Sequence, residues 1–148
     1  MTLKNITLLS LLSICYLLPQ AAADTDVKGT IQYRQNYMNA ISGHTGAIRR
    51  LKDGRFTAEG HLQMHTEALA RLARDIALLF PEGTGTGKTD AKPEIWEDWS
   101  DFEARAAESR QAAQALLDAV QSGDAGAIDT RFGELTQTCK ACHRPFRK

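Results

Sequence analysis

Near the C-terminus stands Cys139-Lys140-Ala141-Cys142-His143, two thiols and an imidazole at the spacing used to attach haem covalently. On a helix, Cys139 and Cys142 lie three apart on one side, where they can reach the two vinyl groups of a porphyrin. The adjacent His143 then comes under the iron as its proximal ligand. Two other chemistries use similar residues. A dithiol redox pair wants its first cysteine at a helix N-terminus after a strand, and nothing before residue 139 reads as a strand. A structural zinc site needs two more ligands, which His61 and His65 at i, i+4 could supply. Only haem asks for a histidine immediately after the second cysteine.

These residues need a compartment and a scaffold. The segment from Met1 to Ala23 carries one positive charge, Lys4, then an apolar run from Ile6 to Leu18, and ends in Ala21-Ala22-Ala23. This is the pattern of a secretory signal peptide over 1–23, too short to span a bilayer, with a mature domain over 24–148. Cys15, one of three cysteines, leaves with it. Covalent c-type haem is assembled outside the cytoplasmic membrane, so export and the motif agree on the periplasm. Losing Lys4 takes the 18 basic residues to 17 against 18 acidic, a net charge of −1. With no basic cluster that could track a phosphate backbone, nucleic acid is not an expected partner. No membrane span is expected after cleavage.

The mature part, about 125 residues, is one domain's length and lacks alternating strand-type runs. Four helical segments are predicted. The first, about 26–51, carries Val27, Ile31, Met38, Ile41 and Ile48 on one stripe, with Arg34 and Thr45 in its remaining slots. An arginine on an inner stripe calls for an anion. The second, about 58–79, aligns Leu62, Leu69, Leu72, Ile76 and Leu79, with Thr57 as N-cap. Residues 81–92 alternate glycine with polar residues and form a loop; the spacing is not that of a Walker phosphate loop. The third segment, about 93–121, starts with Pro93 and stops at Gly123, and Asp124 caps the fourth, about 125–144. On the fourth, Ile128, Phe132, Leu135, Cys139, Cys142 and Phe146 share a face. Four such helices predict an all-α, antiparallel up-down-up-down four-helix bundle with one covalent haem c between the helices.

The chain resembles the class II cytochromes c, the family of cytochrome c' and the low-spin c-556 type, over the whole mature region. The resemblance rests on the haem motif at the C-terminal end, continued by Arg144-Pro145-Phe146-Arg147. It also rests on Tyr33-Arg34-Gln35, and on Phe80-Pro81-x-Gly83-Thr84 followed by Pro93-Glu94-Ile95-Trp96. It implies that Arg34 and Gln35 lie beside the haem propionates, Asp90 near the haem edge and Arg147 near the proximal side. Pro145 departs from the pattern: it removes a backbone donor and crowds the Ala141 carbonyl, so the last helix is expected to kink or end there.

The resemblance places Met38 over the distal face of the haem. If its sulfur binds iron, the site is six-coordinate His/Met and the protein is a one-electron carrier working with redox partner proteins. That is the leading expectation. In the alternative, Met38 only packs over a five-coordinate iron, and a small apolar pocket admits diatomic gases such as NO or CO. His44, His61 and His65 are read as surface residues rather than ligands. No acid–base group can be placed over the iron, so an enzyme is not expected. The pairs Glu97-Asp98 and Asp101-Glu103 read as a solvated face, and Trp96 and Trp99 as aromatic core or rim. Homodimerisation through the first two helices is common in such proteins and stays open.

Overall fold

The computed structural model describes residues 26–148, so the expected signal peptide lies outside the described residues. Helix α1 runs Val27–Lys52, and Asp26 begins it by accepting the Gly29 N–H at 2.9 Å. Its stripe buries Ile31, Arg34 and Ile48. Helix α2 covers His61–Leu72 only, shorter than the predicted 58–79. Thr57 does not cap it. Gly60, at φ +72°, turns the chain just before His61 and interrupts any helical path from Thr57. Beyond Leu72 the chain tightens into two 3₁₀ turns, Ala73–Asp75 and Ala77–Leu79. The Tyr37 hydroxyl donates to the Leu72 carbonyl at 3.0 Å, at the point where the helix changes pitch.

The third segment is also broken. A single turn, α3, covers Glu94–Glu97, and α4 covers Trp99–Ser122. Asp98 separates them in a non-helical conformation, φ −126° and ψ 62°, and caps α4 by accepting the Asp101 N–H at 3.2 Å. Aspartate stabilises a helix start more than a helix interior, and here the cap wins over continuity. Gly123 ends α4 in the left-handed region, and Asp124 accepts from Gly126 and Ala127 to start α5, Ala125–Phe146. Helix α5 passes through Pro145 and ends two residues beyond the predicted 144.

Helix α1 packs on α2, α2 on α4 and α4 on α5, which is the predicted antiparallel four-helix bundle. Helices α1 and α5 make little direct contact. Two core clusters border the space between them. One is mostly aliphatic, built around Ile48, Leu69, Leu116, Ile128, Phe132 and Leu135. The other is mostly aromatic, built around Leu79, Phe80, Ile95, Phe102 and Phe146. The loop over 81–92 is tied to the chain's end: Lys92 N–H donates to Phe146 O at 3.0 Å and Lys148 N–H to Asp90 O at 2.9 Å.

Candidate haem site

Cys139 and Cys142 follow Leu135 along the inner face of α5, one helical step at a time, and so open onto the space that α1 leaves. That space is a cavity of about 770 Å³, within the range of cofactor sites. Its wall brings together all the haem-site residues expected from the sequence: Arg34, Gln35, Met38, Asp90, Cys139, Cys142, His143 and Arg147. Two thiols and an imidazole on one wall, with apolar Ile41, Leu69, Phe80, Ile95, Phe102 and Leu135 around them, fit a flat, largely apolar haem.

Electrostatics separate the candidate chemistries. Burial raises both thiol pKa values, that of Cys142 to about 11 despite the Arg105 charge, so both stay protonated at neutral pH. A dithiol redox pair requires the opposite shift. His143 keeps solvent access, yet partial burial and then the Arg147 charge lower its pKa, which leaves a neutral ring with a free lone pair. The zinc alternative fails. Among the described residues no three His, Cys, Asp or Glu side chains gather around one point. Instead His65 pairs with His44 across α1 and α2, ring nitrogens 2.9 Å apart, while the cysteines face the cavity. His44 and His65 are half-buried, not the surface residues expected.

Arg34 is buried at 3 % exposure, and among the described residues no carboxylate pairs with it. Its guanidinium donates four hydrogen bonds: to Leu79 O at 3.4 Å, Thr84 Oγ1 at 3.0 Å, Thr84 O at 3.1 Å and Thr89 Oγ1 at 2.8 Å. It also lies over the Phe80 ring, 4.7 Å from the centroid. The expected anion is thus replaced, within the chain, by carbonyls, hydroxyls and an aromatic face. Arg34 staples the loop with its Nη groups, and among the described residues its Nε–H meets no acceptor. Gln35 donates to Lys88 O at 3.0 Å, and Arg147 pairs with Asp90 at 3.4 Å on the exposed rim.

Several contributors escaped the sequence reading. Thr84 and Thr89 are buried partners of Arg34, and the demand of a buried guanidinium for acceptors was the signal that could have found them. Trp96 braces the loop instead of touching the cavity, its indole N–H donating to Phe80 O at 3.1 Å and Pro81 O at 3.2 Å. Trp99, read as aromatic core or rim, is on the rim at 37 % exposure.

The family model for cytochrome c' matches residues 29–147, nearly all of the described chain. The chain belongs to the cytochrome c' family. It is 34% identical over 119 residues to cytochrome c' of Pararhodospirillum photometricum, covering 80% of this chain and 95% of that one. Identity with cytochrome c-556 of Agrobacterium tumefaciens strain B2A is 31% over 121 residues, covering 80% and 97%. Among solved structures, cytochrome c' from Rubrivivax gelatinosus superposes with a TM-score of 0.74 at 29% identity, covering 80% of this chain and 94% of that one. A nitric oxide complex of a mutant cytochrome c prime from Alcaligenes xylosoxidans gives 0.77 at 27%, covering 84% and 97%. As a cytochrome c' family member the chain binds a covalent c-type haem, and its type is that of haem-binding carriers.

Proposed function

We propose that this is a periplasmic cytochrome c' whose haem is attached through Cys139 and Cys142, held by His143 on one face and left open to NO or CO on the other. The observation that carries it is where Met38 rests: packed against the aromatic cluster that includes Phe80, Ile95 and Phe102. A methionine that packs there while it lines the cavity would act as an apolar wall over the iron, which is the arrangement that leaves the sixth position to a small ligand. Cytochrome c' relatives at 34% and 33% identity and the nitric oxide complex of a solved relative support the same reading over the His/Met-ligated one.

Bound haem supplies a one-electron Fe(II)/Fe(III) couple and, where a coordination position is free, a site for a diatomic gas. The chain's residues supply the rest. The neutral His143 ring presents its lone pair, the protonated thiols stand ready to add across two vinyl groups, and Ile41 and Phe102 line the cavity with apolar surface. Arg34 offers Nε–H, and Gln35 and Arg147 polar atoms, to the propionate side. Single-electron exchange with partner proteins accompanies gas binding in this reading, and the second reading, Met38 ligation, is favoured by the c-556 relative.

Optical spectra of the holoprotein, oxidised and dithionite-reduced, with and without CO, decide between them. The expected result is a broad high-spin reduced spectrum that shifts strongly with CO and keeps its spin state in Met38→Ala. A split low-spin reduced spectrum, indifferent to CO and lost in Met38→Ala, would instead establish His143/Met38 ligation and an electron carrier.

A further inference from the structure

Pro145 lies inside α5, four residues after Ala141. Any other residue there would donate its N–H to the Ala141 carbonyl, and proline has none to give. Ala141 sits in the spacer between the two cysteines, so the missing bond falls within the haem-attachment turn itself. The carbonyl nevertheless has a partner. Arg105 reaches across from α4 and donates Nη1–H to Ala141 O at 3.2 Å. The guanidinium is fixed from its other side, Nε–H donating to Asp101 Oδ2 at 2.7 Å one turn earlier on the same helix. The turn's remaining ties are of ordinary kind: Arg147 N–H donates to His143 O at 3.0 Å, and Lys92 Nζ to Arg144 O at 3.4 Å.

We propose that Arg105 is a positioning residue for the haem-attachment turn, replacing the helical hydrogen bond that Pro145 deletes and placing its guanidinium beside Cys142, the residue that precedes the proximal His143. This rests on the attachment and ligation proposed above. The arrangement divides into two separable parts. The hydrogen bond to Ala141 O holds the turn that aims the His143 ring. The charge acts through space: Arg105 offsets the Asp101 carboxylate, and removing it would leave an uncompensated negative charge beside the turn, which would favour the more positive Fe(III) state and lower the midpoint potential. The guanidinium's nearness to Cys142 is felt already at the thiol, where the Arg105 charge opposes the effect of burial.

A double-mutant cycle on holoprotein separates the parts, using R105Q, P145A and R105Q/P145A with R105K as a charge-retaining control. Covalent haem is first verified by pyridine haemochrome on the wild type; its absence there would refute the attachment reading, not this inference. R105Q is expected to lower the melting temperature by several degrees and to move the midpoint potential negative. In R105Q/P145A the backbone N–H restored at position 145 serves Ala141 O, so melting temperature returns towards that of P145A while the potential stays low. R105K keeps the potential near wild type. The inference is overturned if P145A fails to rescue R105Q, read as melting temperature or as holoprotein yield, or if R105Q leaves the potential unmoved.

Discussion

The two clusters that border the cavity are held by different physics. The aliphatic one sits between long helices, with Ile48 and Leu116 fully buried and Leu69, Ala113 and Leu135 nearly so. Each contact there is one of many similar ones. The aromatic one is assembled from a 3₁₀ turn, the loop, the single turn α3, the first turn of α4 and the last turn of α5. Phe102 meets Phe80 and Phe146 edge-on at 4.8 and 5.3 Å between centroids, and Arg34 bonds the loop around them. Packing makes the first cluster redundant, whereas the second depends on a hub.

The largest test removes what lies between them. Cys139→Ala with Cys142→Ala forbids covalent haem and leaves the cavity to be filled otherwise. Without haem its apolar wall, which includes Leu69, Phe80, Phe102 and Leu135, would be left facing water. The double variant is therefore expected to lose cooperative melting and near-ultraviolet dichroism while retaining much of its helix. Both tryptophans lie on the aromatic side, Trp96 packed against that cluster and Trp99 against Phe102, so their emission should change most. A native near-ultraviolet spectrum with a sharp melt would show that the cavity does not need the haem.

A smaller pair of substitutions sets hub against packing. Leu116→Ala should cost ~2–5 kcal/mol through the void it leaves, and fluorescence and helix dichroism should fall together. Arg34→Met leaves the Leu79 and Thr84 carbonyls without their donor, at ~1–3 kcal/mol for each group left unsatisfied. Here tryptophan emission should shift at a lower denaturant concentration than helix dichroism. Coincident curves in Arg34→Met would mean that the aromatic cluster does not depend on its hub.

The same contrast explains what could be read in the sequence. The bundle, most of α1, α4 and α5, and the Cys139, Cys142 and His143 part of the wall follow from 3-4 periodicity and one spaced motif, because burial selects residue type at every turn; Gln35, Asp90 and Arg147 are reached only through the family resemblance. The N-caps Asp26 and Asp98, the loop's fastening by Arg34 and the end of α2 at Leu72 depend on single polar groups finding one partner each. Tyr37 with Leu72 and Arg34 with Thr84 and Thr89 meet at long sequence separation and leave no periodic trace. Pro145 was visible as a disruption, but its compensation by Arg105, 36 residues before the carbonyl it serves, belongs to the packing of α4 on α5.

Acid supplies the gentlest probe, and it acts on the aliphatic side. His65 meets His44 where α1 and α2 pack, near Ile41 and Leu62 of the aliphatic cluster. Burial first, then the charges of His44 and His61, lower the His65 pKa below its ordinary 6.5. The unfolded chain therefore binds more protons here, and stability rises with pH. The contribution is complete above about pH 6.5 and is lost as pH falls through that value to the folded-state pKa. A protonated His65 ring also has no nitrogen left to accept in that hydrogen bond. The melting temperature of the holoprotein should fall between pH 7 and 5, and His65→Gln should flatten that fall. Asp53, whose pKa is lowered chiefly by its bond to Lys52, acts in the same direction but only below about pH 4, so the two windows do not overlap. If helix dichroism responds to mild acid before tryptophan emission does, the aliphatic side is the one that loosens; the reverse order would place the acid-sensitive contact in the loop.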